Sequence, residues 1–234
     1  MSDAVIEAVD VAKALGTGVA QVHALKGVSL ALRGGELVLL MGPSGSGKTT
    51  LLSVLGCILT PTSGMVRVHG RSIEGASPET LAKTRRDHVG FIFQSYHLFP
   101  TLNATDNVRL ALDVRENPVE RALVKAREAL ASVGLSHKVR AYPRELSSGQ
   151  QQRVAIARAI VADATAILAD EPTAALDSEN GRAIMTILAD IARDQRRGVL
   201  VVTHDRRLLP FASRIVHIED GRIVGEEAGG AGGE

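Results

Sequence analysis

The sequence is poor in aromatic side chains and contains a single cysteine. Phenylalanine, tyrosine and tryptophan make up 3% of the 234 residues, and tryptophan is absent. Aromatic side chains stack the bases of single-stranded nucleic acid, and a net charge of +1 gives no general attraction to phosphate backbones. Composition therefore disfavours nucleic acid as a partner. Cys57 alone can form neither an internal disulfide nor a thiolate metal cluster, and its apolar neighbours predict a buried core residue.

Long hydrophobic runs and targeting signals are also missing. No apolar stretch approaches the ~20 residues that are needed to cross a bilayer. The first four residues lack the basic and apolar regions of a signal peptide. We therefore expect a cytoplasmic protein that reaches a membrane only through a partner. With 45% hydrophobic residues, the chain can build one large core, or a core with a smaller lobe.

Short apolar segments alternate with helical patterns along the chain, which predicts an α/β fold. Strands are expected at residues 5–11, 28–32, 36–41, 66–70, 89–93, 166–169 and 199–202, and a hairpin of strands 215–218 and 222–224 around Asp220-Gly221. Residues 103–133 have helical spacing and predict a small lobe inserted into this core, and another helix is expected at 178–193. The glycine-rich end, residues 228–234, predicts a flexible tail.

A glycine-rich loop at residues 42–49 matches the pattern G-x-x-x-x-G-K-[S/T] between an apolar strand and a helical segment. Glycines let backbone N–H groups approach phosphate oxygens, and the following helix N-terminus favours an anion. Lys48 is expected to reach the β- and γ-phosphates, and the Thr49 hydroxyl to bind Mg²⁺. The alternative is a glycine-rich turn without a ligand. The candidate phosphate-binding residues are Gly42, Pro43, Ser44, Gly45, Ser46, Gly47, Lys48, Thr49 and Thr50.

Polar residues follow three of the expected strands. Asp170 and Glu171 come directly after an apolar strand, where carboxylates reach the carboxyl edge of a parallel sheet. Asp170 is expected to bind Mg²⁺, and Glu171 to orient or deprotonate the attacking water. Gln94 and His204 follow two other strands and are expected at the same edge, Gln94 for Mg²⁺ or the water and His204 for the γ-phosphate. Each could instead be an ordinary polar strand end, and the other histidines receive no role.

Residues 146–153, Leu-Ser-Ser-Gly-Gln-Gln-Gln-Arg, resemble the LSGGQ signature of ATP-binding-cassette (ABC) proteins, with Ser148 replacing the first glycine. The other motifs of that family match in order. The Walker A motif is at 42–49, the Q-loop at Gln94, Walker B at 166–171, the D-loop at 175–177 and the H-loop at His204. The resemblance implies a single ABC domain with a RecA-like P-loop NTPase core, an antiparallel β subdomain and an inserted helical lobe. It divides the chain into a core at 1–95 and 153–227 and a lobe at 96–152.

The resemblance also implies an ATPase that uses ATP and Mg²⁺. Ser147 and Ser148 are good N-cap residues for a helix, which makes this second helix N-terminus ready for an anion. In the family the signature completes the ATP site of the opposite subunit, so a homodimer, or a dimer with a related subunit, is implied. A capped helix without a ligand is the alternative. The implied roles are catalysis for Glu171, His204, Gln94 and Lys48, Mg²⁺ binding for Thr49, Gln94 and Asp170, contact with the opposite subunit's ATP for Ser147, Ser148, Gly149 and Gln150, and the D-loop for Asp177.

Two positions depart from the family pattern. Ser148 adds a side chain where the backbone must approach a γ-phosphate. We expect this substitution to modify the γ-phosphate contact and not to abolish it. Leu15 stands near the position at which relatives carry an aromatic residue that stacks on adenine. A leucine can cover the base but lacks the specific stacking contribution. We therefore expect weaker and less base-selective ATP binding than in relatives.

Three roles are compatible with an ABC cassette: energising a membrane transporter, acting on a membrane partner in cell-division control, and acting on ribosomes or DNA. The third normally needs two fused cassettes or a coiled-coil insertion, and this chain has neither. Residues 89–108 and 145–153 are similar to the lipoprotein-releasing and macrolide-exporting branch, to which the cell-division ATPases also belong. The resemblance implies a peripheral subunit on the inner face of the cell membrane, with permease subunits and, in some systems, a periplasmic adaptor.

Four apolar side chains after Gln94 suggest where a permease would dock: Tyr96, Leu98, Phe99 and Leu102. In this hypothesis, contact between Gln94 and the γ-phosphate moves the docking surface. The alternative is that Leu98 and Leu102 belong to the core of the helical lobe.

Overall fold

The computed structural model describes residues 4–113 and 118–230. Its strands are β1 (Ala4–Leu15), β2 (Val22–Arg33), β3 (Leu37–Met41), β4 (Ser63–Val68), β5 (Arg71–Ser72), β6 (Val89–Ile92), β7 (Ala166–Asp170), β8 (Gly198–Val202), β9 (Arg214–Glu219) and β10 (Arg222–Ala228). Its α-helices are α1 (Lys48–Leu55), α2 (Pro78–His88), α3 (Ala104–Asp113), α4 (Val119–Ser132), α5 (Ser148–Ile160) and α6 (Ser178–Ala192). Short 3₁₀ helices occur at Gly18–Ala20, Ser136–Lys138, Pro143–Glu145 and Arg206–Phe211.

The strands form two sheets. A six-stranded sheet has the order β10-β9-β3-β8-β7-β6, in which only the β9–β10 pair is antiparallel. A four-stranded antiparallel sheet has the order β2-β1-β4-β5. Because β3, β6, β7 and β8 run parallel, their carboxyl ends meet at one edge of the larger sheet. The α/β fold expected from the alternating pattern is confirmed.

The larger sheet is covered on both faces, which explains its nearly continuous apolar strands. Val38 and Leu40 of β3 face a core shared with α1 and the antiparallel sheet. Their neighbours Leu37 and Leu39 face the opposite way, into a core formed with α3, α4, α5 and α6. Side chains alternate between the two faces of a strand, so β3 takes part in both cores. Cys57 is buried in the first of these cores, as expected, and desolvation raises the pKa of its thiol to about 11.

The structure differs in detail from the sequence-based expectations. β1 and β2 are each 12 residues long, because they pair along their whole length as a twisted hairpin with several register shifts. The helical lobe expected at 103–133 contains two helices, α3 and α4, and residues 114–117 lie outside the described range. Helix α5 continues to Ile160 across the expected lobe boundary at 152, because its later turns pack on β6.

The chain end is ordered further than the glycine content suggests. Ala228 is the last residue of β10, and the Gly229 N–H donates to the Ser213 carbonyl at 3.0 Å. The remaining part of the expected tail, residues 231–234, lies outside the described residues. Within the described part of the chain, no helix has the length and hydropathy needed to span a membrane.

Candidate nucleotide site

A cavity of about 650 Å³ lies at the carboxyl edge of the larger sheet. The residues that line it come from the loop after β3, the ends of β7 and β8, the start of β2 and the β9–β10 turn. The candidate residues among them are Gly42, Pro43, Ser44, Gly45, Gly47, Lys48, Thr49, Thr50, Gln94, Asp170, Glu171 and His204. Candidate residues as far apart in the sequence as Gly42 and His204 therefore share one space, because parallel strands end at the same edge.

The glycine-rich loop has the geometry of an anion cradle. Gly47 has a φ of 101°, and a Cβ atom there would lie 2.5 Å from the carbonyl oxygen of Ala24. A Cβ atom at Gly42 would collide with the carbonyl oxygen of Ile218. Helix α1 begins at Lys48 without a side-chain cap, so its first N–H groups remain available. Free N–H groups at a helix N-terminus, approached through glycine backbone, fit phosphate oxygens.

The side chain of Lys48 is held over this loop by backbone carbonyls of the loop. Its Nζ donates to the carbonyl oxygens of Gly42 at 2.8 Å and Pro43 at 2.7 Å. The ammonium is thereby placed at the mouth of the loop, where phosphate oxygens can replace or add to the carbonyl acceptors. Charge-assisted bonds to phosphate are stronger than bonds to neutral carbonyls, so an anionic ligand is favoured at this position.

Thr49 and Asp170 form the candidate cation site. Their side-chain oxygens, Thr49 Oγ1 and Asp170 Oδ1, lie 3.5 Å apart. Burial raises the pKa of Asp170, the nearby Glu171 carboxylate raises it further, and the Thr49 hydrogen bond and Lys48 oppose this shift. A hydroxyl and a carboxylate are oxygen ligands of the kind that Mg²⁺ takes beside substrate phosphates. The residues therefore fit a magnesium ion that is shared with a nucleotide.

Glu171 and His204 form a pair on the other wall. His204 Nδ1 lies 2.7 Å from Glu171 Oε1, although the residues are 33 positions apart in sequence. Glu171 has a φ of 47°, and its N–H donates to the Val202 carbonyl at 3.0 Å. This left-handed backbone turns the glutamate away from the line of β7, so that Asp170 and Glu171 serve different sides of the cavity. A carboxylate oriented by an imidazole has the arrangement of a general base.

Several predicted residues lie outside this cavity in the single chain. The signature residues Ser147, Ser148, Gly149 and Gln150 and the D-loop Asp177 do not line it. Ser46 is 3% exposed and turned into the protein, and its carbonyl accepts from the Gly221 N–H at 3.0 Å. Leu15 is exposed and does not line the cavity either.

The N-terminus of α5 is capped differently from the expectation. Ser147 is the N-cap, and Ser148 is the first helical residue rather than a second cap. The Gln150 N–H donates to Ser147 Oγ at 3.3 Å, and the Ser147 N–H donates to Gln150 Oε1 at 3.1 Å. This is a capping box, in which two side chains satisfy two backbone donors reciprocally. The Gln150 side chain is thus occupied within its own helix, and the N–H groups of Ser148 and Gly149 open the helix.

One wall of the cavity was not predicted from the sequence. Val22, His23 and Ala24 of β2 form part of its wall, and His23 had been given no role. In the hairpin register Val22 pairs with Leu15, and His23 pairs with Ala14. Knowledge of the hairpin would have identified these residues, but β2 begins six residues before its expected start. A histidine ring therefore stands close to the place where the sequence lacks an aromatic residue.

Comparison with known proteins agrees with this geometry. The ABC transporter family profile matches residues 25–174. "Macrolide export ATP-binding/permease protein MacB" of Salmonella typhimurium is 46% identical over 221 residues, which cover 94% of this chain and 34% of that protein. The protein of the same name in Escherichia coli K12 is 44% identical over 219 residues, with the same coverage. The chain thus spans about a third of the length of these curated relatives.

Solved structures give the same result. A dimeric structure of the ATP-binding cassette MJ0796, in a post-hydrolysis state with ADP and Pi, is 40% identical and has a TM-score of 0.87. The similarity covers 95% of this chain and 98% of that one. The structure of cbiO1 from Clostridium perfringens, part of the ABC transporter complex cbiONQ, is 26% identical, also with a TM-score of 0.87, and the match covers 97% and 89% of the two chains.

Proposed function

The chain belongs to the ABC transporter family as one of its ATPase cassettes, and from this premise we propose that it binds ATP with Mg²⁺ in the described cavity and hydrolyses it as half of a dimer. The observation that carries this proposal is the meeting of the phosphate loop, the Asp170–Glu171 pair and His204 around one cavity. Each of these groups has a place in phosphoryl transfer, and together they supply an anion cradle, a cation site and a base.

The phosphates are proposed to lie on the loop and on the start of α1. Lys48 exchanges its bonds with the Gly42 and Pro43 carbonyls for bonds with β- and γ-phosphate oxygens. Thr49, Asp170 and Gln94 are proposed to hold Mg²⁺, which, when bound, neutralises charge on the phosphates. Protein oxygens that fix a cation and an ammonium beside the same phosphate orient the γ-phosphoryl group for an in-line attack.

Glu171 is the proposed general base. Its carboxylate accepts a proton from the attacking water. The contact between Glu171 Oε1 and His204 Nδ1, at 2.7 Å, holds the carboxylate in place. His204 is largely exposed, with 74% of its side chain accessible, so its other ring nitrogen is free to face a γ-phosphate. General-base assistance of this kind is worth ~10²–10⁴ in rate.

A second copy of this chain, or a related cassette, is proposed to complete the site. The N-terminus of α5, at the exposed residues Ser147 and Ser148, does not line the chain's own cavity. Such a helix end suits a γ-phosphate held on another subunit. The dimeric solved structure of the similar cassette MJ0796 supports this arrangement. Hydrolysis would then require two cassettes to close on two nucleotides.

The test of nucleotide binding is a comparison of two lysine variants. Lys48→Ala should lose most of its ATP affinity, measured by calorimetry in the presence of Mg²⁺, because the charge that opposes the phosphates is removed. Lys125→Ala is the matched control, since Lys125 forms a surface ion pair with Asp163 at 3.5 Å and does not line the cavity. Equal ATP affinity in the two variants would refute the proposed site.

A membrane permease is proposed as the partner, at the inner face of the cell membrane, in an exporter-type system similar to that of the MacB relatives. These relatives are named as joint ATP-binding and permease proteins, and the chain covers only their cassette-sized third. A groove of about 870 Å³ runs beside α2 and the segment after Gln94, lined by Phe91, Phe93 and the 54% exposed Phe99. Lys83, Arg85 and Arg158 also line it. An apolar groove with basic side chains suits a helix that carries apolar and acidic residues.

Phe99 stands out from the other apolar residues of the expected docking patch. Leu98 packs against the core of the helical lobe, whereas Phe99 is exposed beside the groove. The loop that carries it is fixed by Asn107, whose Oδ1 accepts from the Phe99 N–H at 2.8 Å. Phe99→Ala should reduce co-purification with the permease and its stimulation of ATP hydrolysis, while basal hydrolysis stays unchanged. Val224→Ala, at a 61% exposed residue of β10, is the control. Full stimulation of Phe99→Ala would contradict docking at this groove.

A further inference from the structure

The N-terminal turns of two helices touch inside the chain, at Gly149 of α5 and Asn180 of α6. Gly149 is buried, and a Cβ atom there would lie 2.8 Å from Asn180 Oδ1 and 3.1 Å from Asn180 Cγ. Real Cβ atoms do not approach a neighbour this closely, so the glycine leaves room for the carboxamide. Ser148, the neighbouring signature residue, is exposed.

Asn180 is at the same time bonded to Asp177, the last residue of the D-loop. The Asn180 N–H donates to Asp177 Oδ1 at 2.9 Å, and Asn180 Nδ2 donates to Asp177 Oδ2 at 2.7 Å. Asp177 is the N-cap of α6, and these two bonds hold its pKa below the ordinary value. The carboxamide nitrogen is therefore bonded to the D-loop, and the carboxamide oxygen lies 2.8 Å from the place that a Cβ atom of residue 149 would take.

We propose that Asn180 is a positioning residue for ATP hydrolysis, which joins the signature turn at Gly149 to the D-loop at Asp177 within one chain. This inference rests on the proposed function, in which the signature turn meets the nucleotide of the opposite subunit. In this proposal a shift of one segment moves the other, because the planar carboxamide is bonded to Asp177 and lies beside Gly149.

The same contact explains the pattern of the signature. Ser148 is exposed, and its side chain has room to hydrogen-bond to Tyr96, whereas a Cβ atom at position 149 would displace the Asn180 carboxamide. An alanine at 149 would push against Asn180 Oδ1. The short asparagine side chain has two torsion angles, so it can retreat only by giving up its 2.7 Å bond to Asp177. The need for glycine at 149 is thus set inside the chain and not only by a nucleotide of the opposite subunit.

The experiment measures dimer formation without turnover. In a Glu171→Gln chain with ATP and Mg²⁺, the apparent dimer dissociation constant is measured by sedimentation. The variants are Asn180→Ala, Asn180→Asp, Gly149→Ala and the Gly149→Ala/Asn180→Ala pair. Thr186→Ala is the control, because Thr186 is exposed on α6 and its hydroxyl bonds to the Arg182 carbonyl of its own helix. ADP affinity of each monomer, measured by calorimetry, reports on folding and on the chain's own phosphate loop.

Asn180→Ala should weaken the dimer by at least about tenfold, as expected for a lost hydrogen bond to a charged carboxylate. Asn180→Asp should weaken it more, because two carboxylates then face each other. ADP affinity should change less than about twofold, and Thr186→Ala should behave like the parent chain. Adding Asn180→Ala to Gly149→Ala should cause no further loss, since the alanine at 149 has already displaced the carboxamide; such non-additivity identifies coupled residues.

Two results would overturn the inference alone: a parent-like dimer in Asn180→Ala, or losses from Gly149→Ala and Asn180→Ala that simply add. A changed ADP affinity in Asn180→Ala would also overturn it, because the residue would then act on folding or on the chain's own site. Failure of the Glu171→Gln parent to dimerise with ATP is a different result. It would overturn the proposed function, and this inference with it.

Discussion

Replacing Glu171 by glutamine tests the centre of the proposed chemistry. The two side chains have the same shape, and the glutamine amide can still bond to His204 Nδ1, which lies 2.7 Å from the glutamate oxygen. The left-handed backbone at Glu171 and the bond of its N–H to Val202 do not depend on the side-chain charge. The substitution therefore removes the base and leaves the geometry of the cavity in place.

The expected loss of kcat follows because the substitution removes the charge of the side chain and keeps its shape. An amide cannot accept the proton of water, so the whole contribution of the base is lost, a factor of ~10²–10⁴ in kcat. That factor corresponds to about 3–5 kcal/mol in the activation free energy. Nucleotide affinity should be retained, because the phosphate contacts assigned to Lys48 and to α1 are untouched. Loss of kcat with an unchanged dissociation constant is the expected signature.

The assay is phosphate release under saturating ATP and Mg²⁺, with nucleotide affinity measured separately by calorimetry. The chain offers a matched control, because Glu227 also pairs with a histidine, His217, at 2.9 Å. That pair lies on the β9–β10 hairpin, outside the cavity. Glu227→Gln should leave kcat within about twofold, since exposed pairs contribute little. A Glu171→Gln chain with more than about a tenth of the parent kcat would refute the role of the base.

Three further predictions concern the candidate cation site, the expected base contact at Leu15 and the loop that carries Phe99. The pKa of Asp170 is raised mainly by burial, so ionisation of its carboxyl group costs stability as pH rises through that pKa. Asp170→Asn should therefore raise the melting temperature of the nucleotide-free protein at pH 7, and it should remove Mg²⁺-dependent ATP affinity. An unchanged melting temperature would contradict the burial argument. Leu15→Tyr should add a stacking ring and so increase ATP affinity relative to GTP affinity about threefold to tenfold. Calorimetry that shows no such increase would place the base elsewhere. Asn107 is fully buried and donates to the carbonyls of Phe99, Leu102 and Asn103, so Asn107→Ala should lower the free energy of unfolding in urea by about 2 kcal/mol or more, and a loss below about 0.5 kcal/mol would show that water replaces these bonds.

The parts of the site that could be predicted are those in which neighbours in sequence are neighbours in space. The loop at 42–49 follows a buried strand and opens a helix, so its glycines, Lys48 and Thr49 form a cradle from local backbone geometry alone. The positions of Asp170, Glu171 and His204 followed from one additional rule, that parallel strands end at a common edge. Hydrophobic pattern identifies such strands well when both faces are buried, as in β3 and β8.

Contacts between distant segments could not be predicted in the same way. His23 reaches the cavity because β2 starts early and pairs with β1 through register shifts, which no periodicity in the sequence marks.

By itself, then, the sequence determined the class of the fold, the glycine-rich loop before α1, the acid pair after β7 and the membership of a family, since these depend on short segments and on strand ends. The tertiary structure decided which of these groups touch. It brings His204 to within 2.7 Å of Glu171, and it sets Asn180 between Gly149 and Asp177. The His204–Glu171 pair joins residues 33 positions apart, and Asn180 and Gly149 are also distant in sequence. Their distances depend on how helices and sheets pack, which is set by the whole core rather than by any one segment.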